Sequence, residues 1–175
     1  MKLLVTTIGA PGSGKNRLLN KIQSYFQNAF TVVEPDDIRR TVFGSVNEQS
    51  QGDKVFEIAE QRIKSALENS PVFFNATNVS WGRLKESLIE YGADQNVLIF
   101  MQDSLYPELC KERIKKDLDN KVDRSNVPDD VVDRFHTRFI QCQKDALNDH
   151  SDNIKLIFYQ DNFAQVIRVI EEYID

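Results

Sequence analysis

The sequence predicts an α/β fold of three layers: a parallel sheet of about five strands, helices on both of its faces, and a helical lid. Two observations carry this. Short apolar, β-branched or aromatic runs alternate with longer segments whose apolar residues recur at helical spacing. The first of those runs also passes into the first helix through a glycine-rich turn. The strand segments are Leu3 to Ile8, Phe30 to Glu34, Val72 to Phe74, Val97 to Met101 and Ile154 to Tyr159. Continuous rather than alternating apolar character suits strands covered on both faces.

The helices between them follow from periodicity. Leu18, Leu19, Ile22 and Phe26 fall on one helical face, as do Val55, Phe56, Ile58, Ala59, Ile63, Ala66 and Leu67 in a longer segment. Leu84, Leu88 and Ile89 mark a further helix, and Phe163, Val166, Ile167, Ile170 and Tyr173 the last one. Two stretches interrupt the βα alternation. The polar segment Ser45 to Asp53 reads as a loop. The charged segment Lys111 to Pro128 reads as a lid of about residues 111–128, leading into a helix through Val131, Val132, Phe135 and Phe139.

Composition bounds the possibilities. A chain of 175 residues with 41% hydrophobic content can bury one core, so a single domain over residues 1–175 is expected. Seven glycines, five prolines and a 28% charged fraction of mixed sign argue against disorder or a long linker. The net charge of −5 leaves no broad basic surface for duplex DNA, so any nucleic-acid contact must come from a local channel of Lys and Arg. Cys110 and Cys142 form no C-x-x-C pair and cluster with neither His136 nor His150, which points away from zinc and disulfides and toward reduced thiols in a cytoplasmic protein. Met1 to Ile8 is too short for a signal sequence, and no run approaches the length of a membrane span, so no membrane partner is expected.

The first strand leads into Gly9-Ala10-Pro11-Gly12-Ser13-Gly14-Lys15-Asn16, which matches G-x-x-x-x-G-K-[ST] at every defined position except the last. Glycines let the backbone turn tightly so that successive N–H groups point at a β-phosphate. Lys15 would neutralise β and γ oxygens, and the helix N-terminus adds its dipole. A ligand-free strand-to-helix turn is the plainer explanation of such a segment. Its place directly after a strand and before an amphipathic helix favours a nucleotide, ATP with Mg²⁺. Asn16 stands where the pattern has a Ser or Thr hydroxyl facing the metal, so it is the candidate metal ligand, through an amide oxygen that is longer and differently aimed.

Ligands of open α/β sheets gather at the carboxyl ends of strands, which directs attention to Pro35-Asp36-Asp37-Ile38-Arg39-Arg40 after the second strand. If a helix starts at Asp37, Asp36 stands at its mouth with Arg39 and Arg40 one turn away. Asp36 could then take a proton from an acceptor hydroxyl while an arginine holds a phosphate. The alternative is an N-cap aspartate and two solvated arginines.

Four segments in order, TTIGAPGSGK, PDDIRR, FFNATN and a YPELCKERIKK stretch leading to VPDDVV, make the chain resemble the 5′-kinase domain of bacteriophage-type polynucleotide kinases, a branch of the P-loop kinases. The resemblance implies transfer of the ATP γ-phosphoryl group to the 5′-hydroxyl end of DNA or RNA. It implies Asp36 as general base, Arg39 on the transferring or acceptor phosphate, Thr77 and Asn78 facing the acceptor phosphate, and Arg113 and Arg124 covering the donor phosphates. Ordinary explanations stand beside these, a loop turn for Thr77-Asn78 and a solvated helix for Lys111 to Arg124. No D-x-D-x-T signature is present, so no 3′-phosphatase half is expected.

The chain departs from this family pattern at three places. Asn16 replaces the metal-facing hydroxyl, and Asn75 stands where relatives have Asp before the T-N pair. The lid is long between Arg113 and Val127-Pro128, with Asp117 where a second Arg is expected, leaving Lys116, Lys121 and Arg124 as candidates for that contact. Two other function classes follow: a small-molecule or nucleotide kinase of the same fold, which the acidic charge suits, and a nucleotide-binding protein with weak or no turnover.

Overall fold

The computed structural model describes residues 1–174. Its strands are β1 (Leu3–Ile8), β2 (Thr31–Val33), β3 (Val72–Phe74), β4 (Gln95–Met101) and β5 (Ile154–Tyr159). They form one sheet in the order β2-β3-β1-β4-β5. Every pairing is parallel, with Leu4 opposite Val72, Val5 opposite Val97 and Asn96 opposite Ile154. The helices are α1 (Lys15–Tyr25), α2 (Pro35–Phe43), α3 (Gly52–Ala66), α4 (Trp81–Tyr91), α5 (Pro107–Asp119), α6 (Asp129–Asn148) and α7 (Phe163–Glu171).

Successive residues of a strand point to opposite faces, and the core divides accordingly. Leu4, Ile8, Leu98 and Phe100 join Val55, Ala59 and Ile63 of α3, Leu84 and Leu88 of α4, and Phe139 and Cys142 of α6. Leu3, Val5, Val97 and Ile99 face the other way, onto Leu18, Leu19 and Ile22 of α1 and Val166 and Ile170 of α7. Helices thus cover both faces of a five-stranded parallel sheet, the three-layer α/β fold that the periodicity predicts. A third cluster, Cys110 and Ile114 of α5 with Val132 of α6, docks the first half of the lid segment.

Several boundaries differ from the sequence expectation. β4 begins two residues early because Gln95 and Asn96 are buried and paired with Leu3 and Leu4 despite their polarity. α2 begins at Pro35, not Asp37. Proline fixes its own φ near the helical value and holds the preceding residue extended, and Glu34 has φ −134° and ψ 126°. Glu34 is therefore the N-cap and Asp36 lies inside the first turn, so the N-cap explanation of Asp36 fails. Phe56, expected on one face with Val55, and Ile89, which helped mark its helix, are exposed; one residue past Val55 and Leu88, each is turned about 100° from its neighbour. The segment 111–128 is divided, its first half belonging to α5 and its remainder, 120–128, to a loop.

Cys110 and Cys142 are free and buried, and burial pushes the Cys142 thiol up to about 12. Among the described residues no helix is long and apolar enough to cross a membrane.

Candidate active site

A cavity of about 1290 Å³ opens above the carboxyl ends of β1, β2 and β3. Its floor is the turn between β1 and α1. Gly12 and Gly14 adopt φ +80° and +93°, which only glycine tolerates freely, and a Cβ on Gly12 would lie 2.5 Å from the Cys110 carbonyl oxygen of α5. Gly14 is the N-cap of α1 and offers no capping side chain, so the first-turn amides at Lys15, Asn16 and Arg17 face the cavity without an intrahelical acceptor. Such a turn forms an anion site.

Not all of the expected cradle is free for a ligand. Gly9 N–H donates to the Thr77 carbonyl oxygen at 2.9 Å, and Ala10 N–H to Ser104 Oγ at 2.9 Å. These two residues do not line the cavity; their amides fasten the turn to the ends of β3 and β4. Pro11 through Asn16 line it. Lys15 Nζ donates to the Gly9 and Ala10 carbonyl oxygens at 3.1 and 2.8 Å, and burial lowers its pKa to about 8, Arg124 adding to that effect while Cys110 and Asp36 oppose it. Ser13 Oγ is buried with no partner in the protein.

The side of the cavity next to β2 is built by α2. Arg39 Nη1 donates to Asp36 Oδ1 at 2.9 Å, one helical turn apart, and both residues line the cavity. Arg39 is largely buried while Asp36 remains half exposed. Arg40 lines the cavity too, but its Nε donates to Asp123 Oδ2 at 2.6 Å, and that bond raises its pKa. Arg124 is held by Asp117, with Nη1 to Oδ2 at 2.7 Å. Of Lys116, Lys121 and Arg124, only Arg124 lines the cavity; the two lysines are exposed. Arg113 lines it as well and bridges Asp103 Oδ2 at 2.8 Å and the Gly12 carbonyl at 3.2 Å. The Nε–H groups of Arg39 and Arg124 are buried with no acceptor in the protein.

Thr77 lines the cavity and Asn78 does not. Asn78 has φ 49°, which turns its side chain back toward the sheet, where Nδ2 donates to the Thr7 carbonyl oxygen at 3.0 Å. Asn78, expected beside Thr77 at an acceptor phosphate, is thus not brought into the cavity with it; it braces the end of β1. The solvated-helix explanation of 111–124 holds for Lys115 and Lys116 but not for Arg113 or Arg124.

A family profile described as an AAA domain matches residues 4–141, most of the chain and all of the cradle. The chain belongs to the AAA domain family. No curated protein sequence matches it. Solved structures share the fold of this AAA domain. One chain of a Pnkp1/Rnl/Hen1 RNA repair complex is 21% identical, with TM-score 0.68 over 81% of this chain and 45% of its own length. The domain thus spans under half of that relative. A protein from Chloroflexus aurantiacus j-10-fl, provisionally described as a kinase, gives TM-score 0.69 at 9% identity over 99% and 98% of the two chains. A gluconokinase from Sinorhizobium meliloti 1021 gives 0.56 at 13% identity over 95% and 88%. The fold is that of the P-loop kinases.

The AAA domain also places residues at the site that the sequence did not single out. Ser104 holds the turn through Ala10, and its carbonyl oxygen is 2.8 Å from His136 Nδ1 on α6. Glu34 lines the cavity at the end of β2. Nothing in the spacing flags Ser104. Glu34 precedes PDDIRR at the same strand end, so the strand-end rule that led to Asp36 extends to it.

The oxygen-rich donors bordering the cradle suit a hard cation such as Mg²⁺. Asn16 Oδ1 already accepts from Asn75 Nδ2 at 2.7 Å. Among the described residues no group of three His, Cys, Asp or Glu side chains could hold a metal ion by itself. A cation there would be shared with the phosphates of a bound nucleotide.

Proposed function

We propose that this AAA domain is an ATP-dependent phosphotransferase that moves the γ-phosphoryl group to the 5′-hydroxyl end of a polynucleotide. The observation that carries the reading is the meeting, in one cavity, of a phosphate cradle, a carboxylate and two guanidinium groups whose Nε–H donors have no acceptor within the protein. Buried donors without partners are costly, and phosphate oxygens would satisfy them.

Pro11 to Asn16, Lys15 among them, hold the β- and γ-phosphates of ATP, and Mg²⁺, which Asn16 would help to hold, would offset part of their charge. Asp36 accepts the proton of the acceptor hydroxyl as its oxygen bonds to the γ-phosphorus and the bond to the β–γ bridging oxygen breaks, releasing ADP. Arg39 fixes the Asp36 carboxylate by the 2.9 Å bond and, with Arg113 and Arg124, balances charge on the moving phosphoryl group. Thr77 and Arg40 border the acceptor. A terminal nucleotide requires few phosphate contacts, so a net charge of −5 is compatible with such a substrate. The four sequence segments and the likeness to the RNA repair complex support the polynucleotide over other acceptors.

A second reading is a small-molecule kinase. Asp37, Asp117, Asp123 and Asp161 also line the cavity and disfavour a polyanion at its rim. The deciding measurement is transfer of labelled phosphate from ATP to a panel of 5′-hydroxyl oligonucleotides, nucleosides and sugars. Phosphorylation of the oligonucleotides alone supports the first reading, phosphorylation of a nucleoside or sugar alone the second, and ATP binding without transfer to any acceptor leaves a nucleotide-binding protein.

A further inference from the structure

The metal-facing edge of the cradle is made of neutral amides. Asn16 and Asn75 bring oxygen and nitrogen atoms there but no charge, whereas a divalent cation shared with phosphates is ordinarily held by at least one carboxylate. A carboxylate is nevertheless present, one strand to the side. Val33 of β2 stands in register with Phe74 of β3, so the next residues, Glu34 and Asn75, lie side by side at the carboxyl end of the sheet. Asn75 N–H donates to the Val33 carbonyl oxygen at 3.0 Å and fixes that pairing.

The side chains join what the register aligns. Asn75 Nδ2 donates to Glu34 Oε1 at 2.6 Å and to Asn16 Oδ1 at 2.7 Å, and its Oδ1 accepts from Thr7 Oγ1 at 3.0 Å. Both hydrogens of one buried amide are thereby spent on drawing a carboxylate oxygen and the Asn16 oxygen together. Glu34 is also the N-cap of α2 yet makes no side-chain capping bond. Its carboxylate forgoes the free first-turn N–H groups of Asp36 and Asp37 and reaches the cradle edge instead.

We propose that Glu34 supplies the negatively charged oxygen that holds the divalent cation of the bound nucleotide, with Asn75 as the positioning residue that aims it. The assignment rests on the nucleotide-binding reading above. It explains how two neutral amides are tolerated: the charge that another chain could carry at the end of β3 sits here at the end of β2, and the longer glutamate side chain spans the distance between strands.

The test is binding of Mn²⁺ to the full chain saturated with the non-hydrolysable ATP analogue AMPPNP, followed by electron paramagnetic resonance, beside AMPPNP binding in EDTA. Glu34→Gln should weaken Mn²⁺ by roughly tenfold to a hundredfold, the range for groups that position or support a metal. It should leave AMPPNP affinity in EDTA unchanged or improved, because a negative charge beside the phosphates has gone. Adding Asn75→Asp to Glu34→Gln should return most of the Mn²⁺ affinity. Unchanged Mn²⁺ affinity in Glu34→Gln overturns the proposal, as does a loss of AMPPNP affinity in EDTA that Asn75→Asp does not repair, since that pattern belongs to a structural role. If Glu34→Gln does not fold, Glu34→Asp keeps the charge but draws it back by one carbon; Mn²⁺ should weaken there too, and an unchanged value overturns the assignment. Failure of the unaltered protein to bind AMPPNP in EDTA would instead remove the nucleotide reading itself.

Discussion

At the scale of single residues, Lys15 is the most sensitive position, because its charge is held where burial lowers its pKa to about 8. Phosphates favour the charged form, so the proton must be present when ATP binds. ATP affinity should be level below about pH 8 and fall by up to about tenfold per unit above it, since the empty site loses the proton there. Fluorescent-nucleotide titrations over that range check this, and Lys15→Arg should abolish the alkaline fall because guanidinium does not titrate there. Asp36→Asn should cut phosphoryl transfer by about 10²–10⁴-fold while ATP affinity changes little, as measured by comparing turnover with equilibrium binding. A larger loss in Asp37→Asn than in Asp36→Asn would move the base by one residue. Asn16→Ser removes the 2.7 Å bond from Asn75 and returns a hydroxyl to the first helical turn. Half-maximal turnover should then require less Mg²⁺ than in the unaltered protein, and an equal or higher requirement in a Mg²⁺ titration counts against a metal-facing role for this position.

At the scale of elements, what the sequence displayed was period, and what it concealed was pairing. The cradle was legible because its chemistry is local: glycines, a lysine and a helix start within eight residues of one another. Asp36 and Arg39 were legible for the same reason, although the start of α2 was misjudged by overlooking the proline. Glu34 and Asn78 were not. Their roles depend on which strand lies beside which, and one sequence does not contain the register between β2 and β3. Gln95 and Asn96 misled in the same way, being polar residues kept in a buried strand by pairing with Leu3 and Leu4, and Asn96 with Ile154 as well. The closeness of α5 to the cradle was equally hidden, and it yields a prediction. Gly12→Ala drives a methyl group to within 2.5 Å of the Cys110 carbonyl at a φ of +80°. Stability should fall by about 1–3 kcal/mol, and nucleotide binding should weaken by more than that loss of folded protein accounts for, as α5 and Arg113 are pushed away. Paired chemical denaturation and nucleotide titration separate the two effects.

At the scale of the whole molecule, Phe139 of α6 tests the body of the fold apart from the site. It is fully buried against Phe100 of β4, their ring centroids 6.0 Å apart. Phe139→Ala should cost about 3–5 kcal/mol and lower Tm by roughly 2–4 °C per kcal/mol, read by thermal melting. ATP affinity at low temperature should persist, because Phe139 does not line the cavity. The strand order has a consequence for the order of events in synthesis. β1 is the centre of the sheet, and its partners are residues 72–74 and 95–100. The turn that follows it is fastened by Thr77 and Ser104 and shaped against Cys110. As the chain leaves the ribosome, residues 3–16 therefore meet the first of these partners only after about sixty more residues have been made, and the last after about ninety-five. The central strand acquires its form only once these later segments arrive, and until then its apolar residues are cargo for whatever protects nascent chains.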